Sequence, residues 1–493
     1  MKRILTAEQM QKADQAAMEQ GLPSLVLMER AAVAVTEEIL ASGYDLGRVC
    51  IVCGTGNNAG DGVAIARVLQ DYGYHPEIYP AGDPAKYSPQ MTCQMTVALG
   101  RGIPCLETFD PSAYTLVVDA LFGIGLHRPV TGAYAELIRA INASDCKVVS
   151  VDIPSGVHTD TGQILGDAIR ADLTVTFARG KIGHYLFPGA ACTGRLVIRQ
   201  ISIPVDDMSR EEPPLWTLEE EDLKRIPPRD EAGNKGTFGK LLVIAGSRDI
   251  CGAAYLAARA SLMTGLGMVK IYTSAGNRTP LATLLPEALL STYQEEDWDP
   301  RDLERELDWA DGVLIGPGLG VSQFSRRLLE HFLAINHLPC LIDADALNLL
   351  AQEPEGWSRI HSPCIITPHI AEMSRIAGKS VQQIKANPLA EARAFARRHQ
   401  VTCVLKDART VIALPDETCF LNHSGNSTLA TAGSGDALAG ICAGLMLQYP
   451  HLSLPPAALA VYIHGLCGER AGERYSRSSA TARDILEAIP LYL

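Results

Sequence analysis

No stretch of this 493-residue chain approaches the ~20 consecutive apolar residues that a membrane-spanning helix needs. The longest, such as residues 437–447, stop well short, so no membrane association is expected. An excess of basic residues is also missing. Lys and Arg number 43 against 56 Asp and Glu, a net charge of −13, which argues against a general nucleic-acid binder that neutralises phosphates with a basic face. Small phosphorylated ligands remain compatible with this charge, because backbone N–H groups hold phosphate without Lys or Arg. Behind Met1-Lys2-Arg3 there is no apolar run of a secretory signal. Thr6, with Gln9 three residues on, reads instead as a capping box that opens a helix. The thirteen cysteines are odd in number and scattered, not a disulfide framework, so a reducing, cytoplasmic setting is expected. No second Cys-x-x-Cys at zinc spacing exists, and the one pair, Cys50 and Cys53, lies inside an apolar run that reads as a buried strand. A chain that is 47% hydrophobic is neither disordered nor fibrous.

What is present is an alternation of short apolar runs and Ala-rich helical segments. Strands are predicted at 49–53, 115–119, 147–152 and 172–177, with crossover helices at 62–72 and 131–142. Strands that read as continuous apolar runs are buried on both faces, the mark of a parallel sheet covered by helices. The rhythm stops near 205–216 in a charged, Pro-containing stretch, then restarts with predicted strands at 240–245, 312–315, 340–342, 364–367 and 402–406 and a long apolar helix at 436–447. The expectation is two tandem α/β domains, 1–208 and 217–493, joined by a linker at 209–216. Ligands should gather at the C-terminal ends of the strands.

In the first half, the predicted strand 49–53 runs into Gly54-Thr55-Gly56-Asn57-Asn58-Ala59-Gly60-Asp61-Gly62. This fits the G-x-G-x-x-G/A dinucleotide fingerprint, with Glu77 near the expected ribose position. Alone the match is weak, since any tight βα turn favours glycine. Two further strands end in an acid followed by glycines, Val118-Asp119-Ala120-Leu121-Phe122-Gly123 and Val151-Asp152-Ile153-Pro154-Ser155-Gly156. Each acid by itself would serve as a turn or helix cap; three such ends in one sheet favour a site. These motifs, in this order, resemble the NAD(P)H-hydrate epimerase domain over residues 1–208. Ala59 stands where a glycine is usual, and Cys53-Gly54-Thr55 replaces a more typical Gly-Pro form. The resemblance implies that Asn57, Asn58, Ala59, Gly60 and Asp61, with Gly123, Ile124, Gly125, Leu126, His127, Arg128 and Pro129, bind the hydrated dinucleotide. It implies that Asn58, Asp119 and Ser155 hold a potassium ion, and that Asp152 also binds substrate and carries the proton chemistry.

In the second half, Thr431-Ala432-Gly433-Ser434-Gly435-Asp436 immediately precedes the apolar helix. Free N–H groups at such a start bind anions, and an acid there caps the helix or accepts a proton from a hydroxyl. Gly236-Thr237-Phe238-Gly239-Lys240 lacks Walker spacing and is not a P-loop. Together with Asn234-Lys235-Gly236, Ile244-Ala245-Gly246-Ser247, Gly316-Pro317-Gly318-Leu319-Gly320, Asp343-Ala344-Asp345-Ala346-Leu347-Asn348 and Thr367-Pro368-His369, the Gly-Ser-Gly-Asp turn resembles the ribokinase-like superfamily. Within that superfamily the combination is similar to the ADP/ATP-dependent NAD(P)H-hydrate dehydratases. Family members often carry His at Asn234 and Pro-Gly at Ile370-Ala371. The resemblance implies that Ala253, Gly318, His369 and Asp436 contact the hydrate. It places Lys406, Asp407, Ala408, Arg409, Thr410 and Gly435 on the adenine nucleotide, with Asp436 as base.

The combined expectation is a Rossmann-like epimerase fused to a ribokinase-like dehydratase. Its substrates would be the hydrates of NADH and NADPH together with ADP or ATP, its ions K⁺ and Mg²⁺, and its assembly a homo-oligomer. The competing reading is a hydroxymethylpyrimidine- or sugar-type kinase fused to a nucleotide-binding domain that catalyses nothing.

Overall fold

A computed structural model describes residues 1–204 and 213–493. Most of the expected boundary, including residues 209–212 of the expected linker, lies outside the described residues; Leu215 and Trp216, the last two residues of that expected linker, belong to the strand Leu215–Thr217. The chain divides into two units, one drawn from Arg3–Glu212 and the other from Pro213–Leu493 with Met1–Lys2.

The N-terminal unit is built on a six-stranded parallel sheet. Its order is Glu77–Pro80, Val49–Cys53, Leu116–Ala120, Lys147–Val151, Leu173–Phe177 and Arg195–Arg199. The apolar runs fill both faces. Val49, Ile51 and Cys53 pack against the helices on one side, while Cys50 and Val52 pack under Ala133–Ala143 on the other, so Cys50 and Cys53 are core residues pointing apart. The chain steps from Val49–Cys53 outward to Glu77–Pro80 and returns on the other side as Leu116–Ala120. The crevice between their C-terminal ends is therefore the topological switch point, where α/β sheets bind ligands. Thr6 caps the helix Ala7–Glu19 in the expected capping box with Gln9.

The C-terminal unit repeats the doubly wound plan. Its parallel strands lie in the order Leu289–Tyr293, Met268–Ser274, Lys240–Ile244, Gly312–Ile315, Cys340–Ile342, Cys364–Ile366 and Thr402–Leu405. The antiparallel strands Val411–Ala413 and Cys419–Leu421 continue the sheet. Here the switch point falls between Lys240–Ile244 and Gly312–Ile315. The apolar helix Ser434–Gln448 is buried against Gly252–Met263. Glycine permits that contact: a Cβ on Gly440 would stand 2.2 Å from the Ala257 carbonyl oxygen, and one on Gly444 2.2 Å from Thr264 Oγ1. No described helix is long and apolar enough to cross a membrane.

Candidate active sites

At the first switch point lies a cavity of about 610 Å³, lined by Asn57, Asn58, Asp61, the Leu121 to Arg128 turn, Asp152 and Lys181, with Asp14 and Met10 reaching in from the first helix. The glycine-rich stretch is not the open loop that the spacing predicts. The helix starts at Asn57, not near 62, with Gly56 in the N-cap position. The amides that the loop was expected to offer are thus those of a helical first turn, which lack intrahelical partners and favour anions. Ala59 and Gly60 are buried and face the core; a Cβ on Gly60 would strike the Met28 side chain at 2.7 Å, and one on Gly62 would stand 2.5 Å from Ala120 Cβ. Pro129 is exposed and outside the lining. Glu77 is corrected outright. It opens its strand opposite Cys50, at the far end of the sheet from the crevice, and accepts a 2.6 Å hydrogen bond from the Tyr114 hydroxyl.

Asp119 and Ser155 meet beneath the cavity. Ser155 donates from Oγ to Asp119 Oδ1 at 2.5 Å and from its backbone N to Oδ2 at 2.9 Å, while Ser150 Oγ donates to Oδ2 at 2.8 Å. Burial raises the Asp119 carboxyl against these four donors, Leu121 N being the fourth. Asn58 stands next to Gly123, whose added Cβ would lie 3.2 Å from Asn58 Cβ, and its buried Nδ2 has no hydrogen-bond partner among the described residues. The Asp119 carboxylate and Ser155 hydroxyl are hard oxygen donors of the kind that suits a hard monovalent cation.

Asp152 has φ 66°, a conformation uncommon outside glycine. Its Oδ1 accepts from Thr176 Oγ1 at 2.7 Å and from Lys181 Nζ at 2.5 Å. Burial would raise this carboxyl, but the Lys181 ammonium and the Thr176 hydroxyl outweigh it and hold the group below the usual aspartate value. Its neighbours go the other way. Burial, then the charge of Asp152, raises Asp14 to about 6 and Asp61 well above the ordinary range. The motifs drew attention to neither Asp14 nor Lys181. Lys181 follows the strand Leu173–Phe177 as the basic counterpart of the acid-and-glycine strand ends, and extending the pattern to basic residues would have found it.

In the C-terminal unit, strand ends deliver a second cluster. Asp343 accepts from Thr367 Oγ1 at 2.6 Å and from Lys406 Nζ at 2.9 Å. A Cβ on Gly435 would lie 3.6 Å from that same Nζ, so the lysine reaches the Gly433-Ser434-Gly435 turn. Gly433, at φ 86°, starts the helix and puts Asp436 in its first turn. Burial first, then the carboxylates of Asp343 and Asp345 against the opposing Lys406, raises Asp436 to about 6. Burial works against the Lys406 ammonium, but Asp343 and Glu372 keep its pKa above the ordinary lysine value. His369 N-caps Ile370–Ala377: its Nδ1 accepts from Ala371 N at 3.0 Å, which puts the ring proton on Nε2. Burial and Lys406 depress its pKa.

Gly318 and Ala253 come together at the switch point, where a Cβ on Gly318 would lie 3.0 Å from Ala253 Cβ. The 406–410 segment does not act as one surface. Lys406 turns inward, Asp407 and Ala408 are exposed, Arg409 donates to the Gly425 carbonyl at 3.1 Å, and Thr410 is buried. Of Asp343 and Thr367, named within motifs but not among the candidate site residues, Asp343 binds Lys406 directly and Thr367 donates to the same Asp343 oxygen.

Two doubly wound α/β units, each with acids and glycine turns at its switch point, define an enzyme with two nucleotide-type sites. Family models agree with this division: one described as YjeF-related protein N-terminus matches residues 24–183, and one described as NAD(P)H-hydrate dehydratase matches 241–491. The chain is 36% identical to a bifunctional NAD(P)H-hydrate repair enzyme of Thermofilum pendens over 97% of this chain and 93% of that one. It is 31% identical to the one from Escherichia coli over 95% and 89%. A ribokinase-like superfamily protein from Enterococcus faecalis, 29% identical, superposes with a TM-score of 0.50 over 56% of this chain and 95% of its own. The chain belongs to the family of bifunctional NAD(P)H-hydrate repair enzymes. Relatives matched over nearly the whole chain set aside the kinase-plus-binding-domain alternative.

Proposed function

We propose that the N-terminal unit interconverts the R and S hydrates of NADH and NADPH, and that the C-terminal unit dehydrates the S hydrate at the expense of ADP or ATP. The observation that carries this reading is the full-length similarity to bifunctional repair enzymes, combined with an acid-bearing switch point in each unit.

For epimerisation, Asp152 is ionised at neutral pH and acts as the base. Asp14 and Asp61, which burial and the Asp152 charge hold toward their protonated forms, are the acids that could return the proton. Acid–base help of this kind is worth ~10²–10⁴ in rate. Asn57, Asn58 and Asp61, with Gly123 to Arg128, are the proposed dinucleotide contacts. Asn58, Asp119 and Ser155 would hold the potassium ion, which supplies a fixed positive charge beside the cavity.

For dehydration, Asp436 takes the proton of the hydrate hydroxyl as its oxygen bonds to the terminal phosphorus and the nucleotide leaves. Lys406 and the Gly433 to Gly435 amides face the charge on the transferring group. The carbon–oxygen bond then breaks with its electron pair leaving on phosphate, a proton leaves the adjacent carbon, and the ring double bond is restored. Phosphorylation turns hydroxide, a poor leaving group, into a good one. Magnesium bound with the nucleotide would neutralise phosphate charge there. Ala253, Gly318 and His369 are the proposed hydrate contacts, and Lys406 and Gly435, with the exposed Asp407 and Ala408, the nucleotide contacts.

Thirteen free thiols support a reducing, cytoplasmic setting, and self-association is retained as a proposal that light scattering on the purified chain reads directly. The test of the activity supplies mixed hydrates with ADP or with ATP and follows the absorbance of reduced nicotinamide. Full recovery with one nucleotide is expected; no recovery with either excludes the dehydratase.

A further inference from the structure

Asp152 is gripped at both its side chain and its backbone by one short segment, Lys181 to His184. The Lys181 side chain is fully buried, and its three ammonium protons have three acceptors: Asp152 Oδ1 at 2.5 Å, Thr176 Oγ1 at 2.7 Å and the Phe177 carbonyl at 3.2 Å. The Lys181 backbone N–H donates to His184 Nδ1 at 3.1 Å, so the ring proton sits on Nε2 and is given to the Asp152 carbonyl oxygen at 2.8 Å. The circuit closes on itself: lysine amide to imidazole, imidazole to aspartate carbonyl, lysine ammonium to aspartate carboxylate. It fixes a residue whose φ of 66° carries a steric cost.

We propose that Lys181 is the positioning residue of the epimerisation base, holding Asp152 Oδ1 with its ammonium and the Asp152 backbone through His184, so that Oδ2 alone is left to meet the substrate. The proposal rests on the reading of Asp152 as that base. An ammonium with all three protons committed is not itself a proton donor in the reaction, because giving one up would break a bond of the grip. Oδ2 accepts no hydrogen bond among the described residues, whereas Oδ1 accepts two.

Charge selects Asp152 as well. The groups facing it are Thr176 from the strand Leu173–Phe177, Lys181 and His184 from the segment after that strand, Asp14 from the helix Ala7–Glu19 and Asp61 from the helix Asn57–Asp71. Of the three carboxyls, Asp152 and Asp14 feel the Lys181 ammonium, while Asp61 meets only the charges of the other two acids. Only Asp152 touches the ammonium, and it alone of the three is held below the ordinary aspartate value. His184, pushed down to about 4 chiefly by burial, adds no competing charge near neutrality.

The test uses the full-length protein without nucleotide, so that dehydration is silent, and measures interconversion of purified R and S hydrates across pH for K181M, K181R, T176V and D152N. Removing the ammonium must raise the pKa of Asp152, so the acid limb of the kcat/KM profile moves to higher pH. For K181M the expected shift is at least about one pH unit, with kcat lowered by about 10²-fold or more and KM nearly unchanged. K181R, which keeps the charge, restores part of the rate and of the limb. A limb that stays in place in K181M while the rate falls makes Lys181 merely structural and overturns the proposal. Should K181M fail to fold, T176V decides: it removes one of the two Oδ1 donors and is expected to move the limb up by a smaller amount, and an unmoved limb overturns the proposal. D152N separates the two levels. An active D152N overturns the base reading and the grip together, whereas an inactive D152N with an unmoved K181M limb overturns the grip alone.

Discussion

Asp436 shows how one residue trades stability for chemistry. Its carboxyl is raised to about 6 chiefly by burial, then by Asp343, so at neutral pH the folded protein holds a carboxylate in a site that disfavours its charge. A group with a raised folded pKa binds its proton more tightly when folded, so its stabilising contribution is present at low pH and is lost as pH rises from the unfolded value through about 6. Two outcomes are expected. D436N loses dehydratase turnover by ~10²–10⁴, while its Tm at pH 7 to 8 stays level or rises, which calorimetry reads beside the assay. In the unmodified protein, because the base must be ionised, kcat/KM for dehydration falls as pH drops through about 6; a profile flat down to pH 5 contradicts this assignment. Asp152 follows the opposite logic. Lys181 holds it low, so epimerisation should persist to lower pH than dehydration does.

At the scale of elements, helix starts and glycine contacts carry most of the design. Ser434–Gln448 can lie against Gly252–Met263 only because Gly440 leaves room for the Ala257 carbonyl. G440A is therefore expected to destabilise by about 1–3 kcal/mol through overpacking, seen in chemical denaturation; an unchanged midpoint would mean that the helices separate at no cost. The apolar runs made the inner strands of both sheets legible except Met268–Ser274, since burial on both faces leaves a plain signature in composition. The partly buried edge strands Arg195–Arg199 and Leu289–Tyr293 and the short strands Val411–Ala413 and Cys419–Leu421 were missed. Helix starts were less legible. Asn57 and Asn58 look like loop residues because short polar side chains favour turns, yet they begin a helix whose first turn needs no intrahelical amide partners. The motifs located Asp119, Asp152, Ser155 and Asp436 because each follows its strand or opens its helix beside glycines. Asp14 escaped for a physical reason: it meets its partners from a distant helix, and such pairing leaves no local pattern; Lys181 escaped because the strand-end pattern was read for acids alone. Glu77 was misplaced because an apolar run does not say at which end of its strand a charged residue sits.

Across the whole molecule, the same crevice is built twice. Each unit turns its sheet order at a switch point and sets a carboxylate near a lysine at the strand ends: Lys181 holds Asp152 low, whereas burial and Asp343 raise Asp436 against Lys406. The net charge of −13 does not oppose anionic dinucleotide substrates in such a scheme, because backbone amides at two helix starts can hold their phosphates. If the two sites act in series, a defect in one must leave the other's chemistry intact. The most direct measurement follows complete conversion of a mixture of R and S hydrates, with nucleotide in excess, for the unmodified protein and for D152N. The unmodified protein should return the whole mixture to reduced nicotinamide dinucleotide, and D152N should return the S fraction at an unchanged rate and leave the R fraction behind, apart from its slow spontaneous epimerisation. Consumption of the R fraction by D152N at the unmodified rate, or loss of S-hydrate dehydration in that variant, would contradict the account.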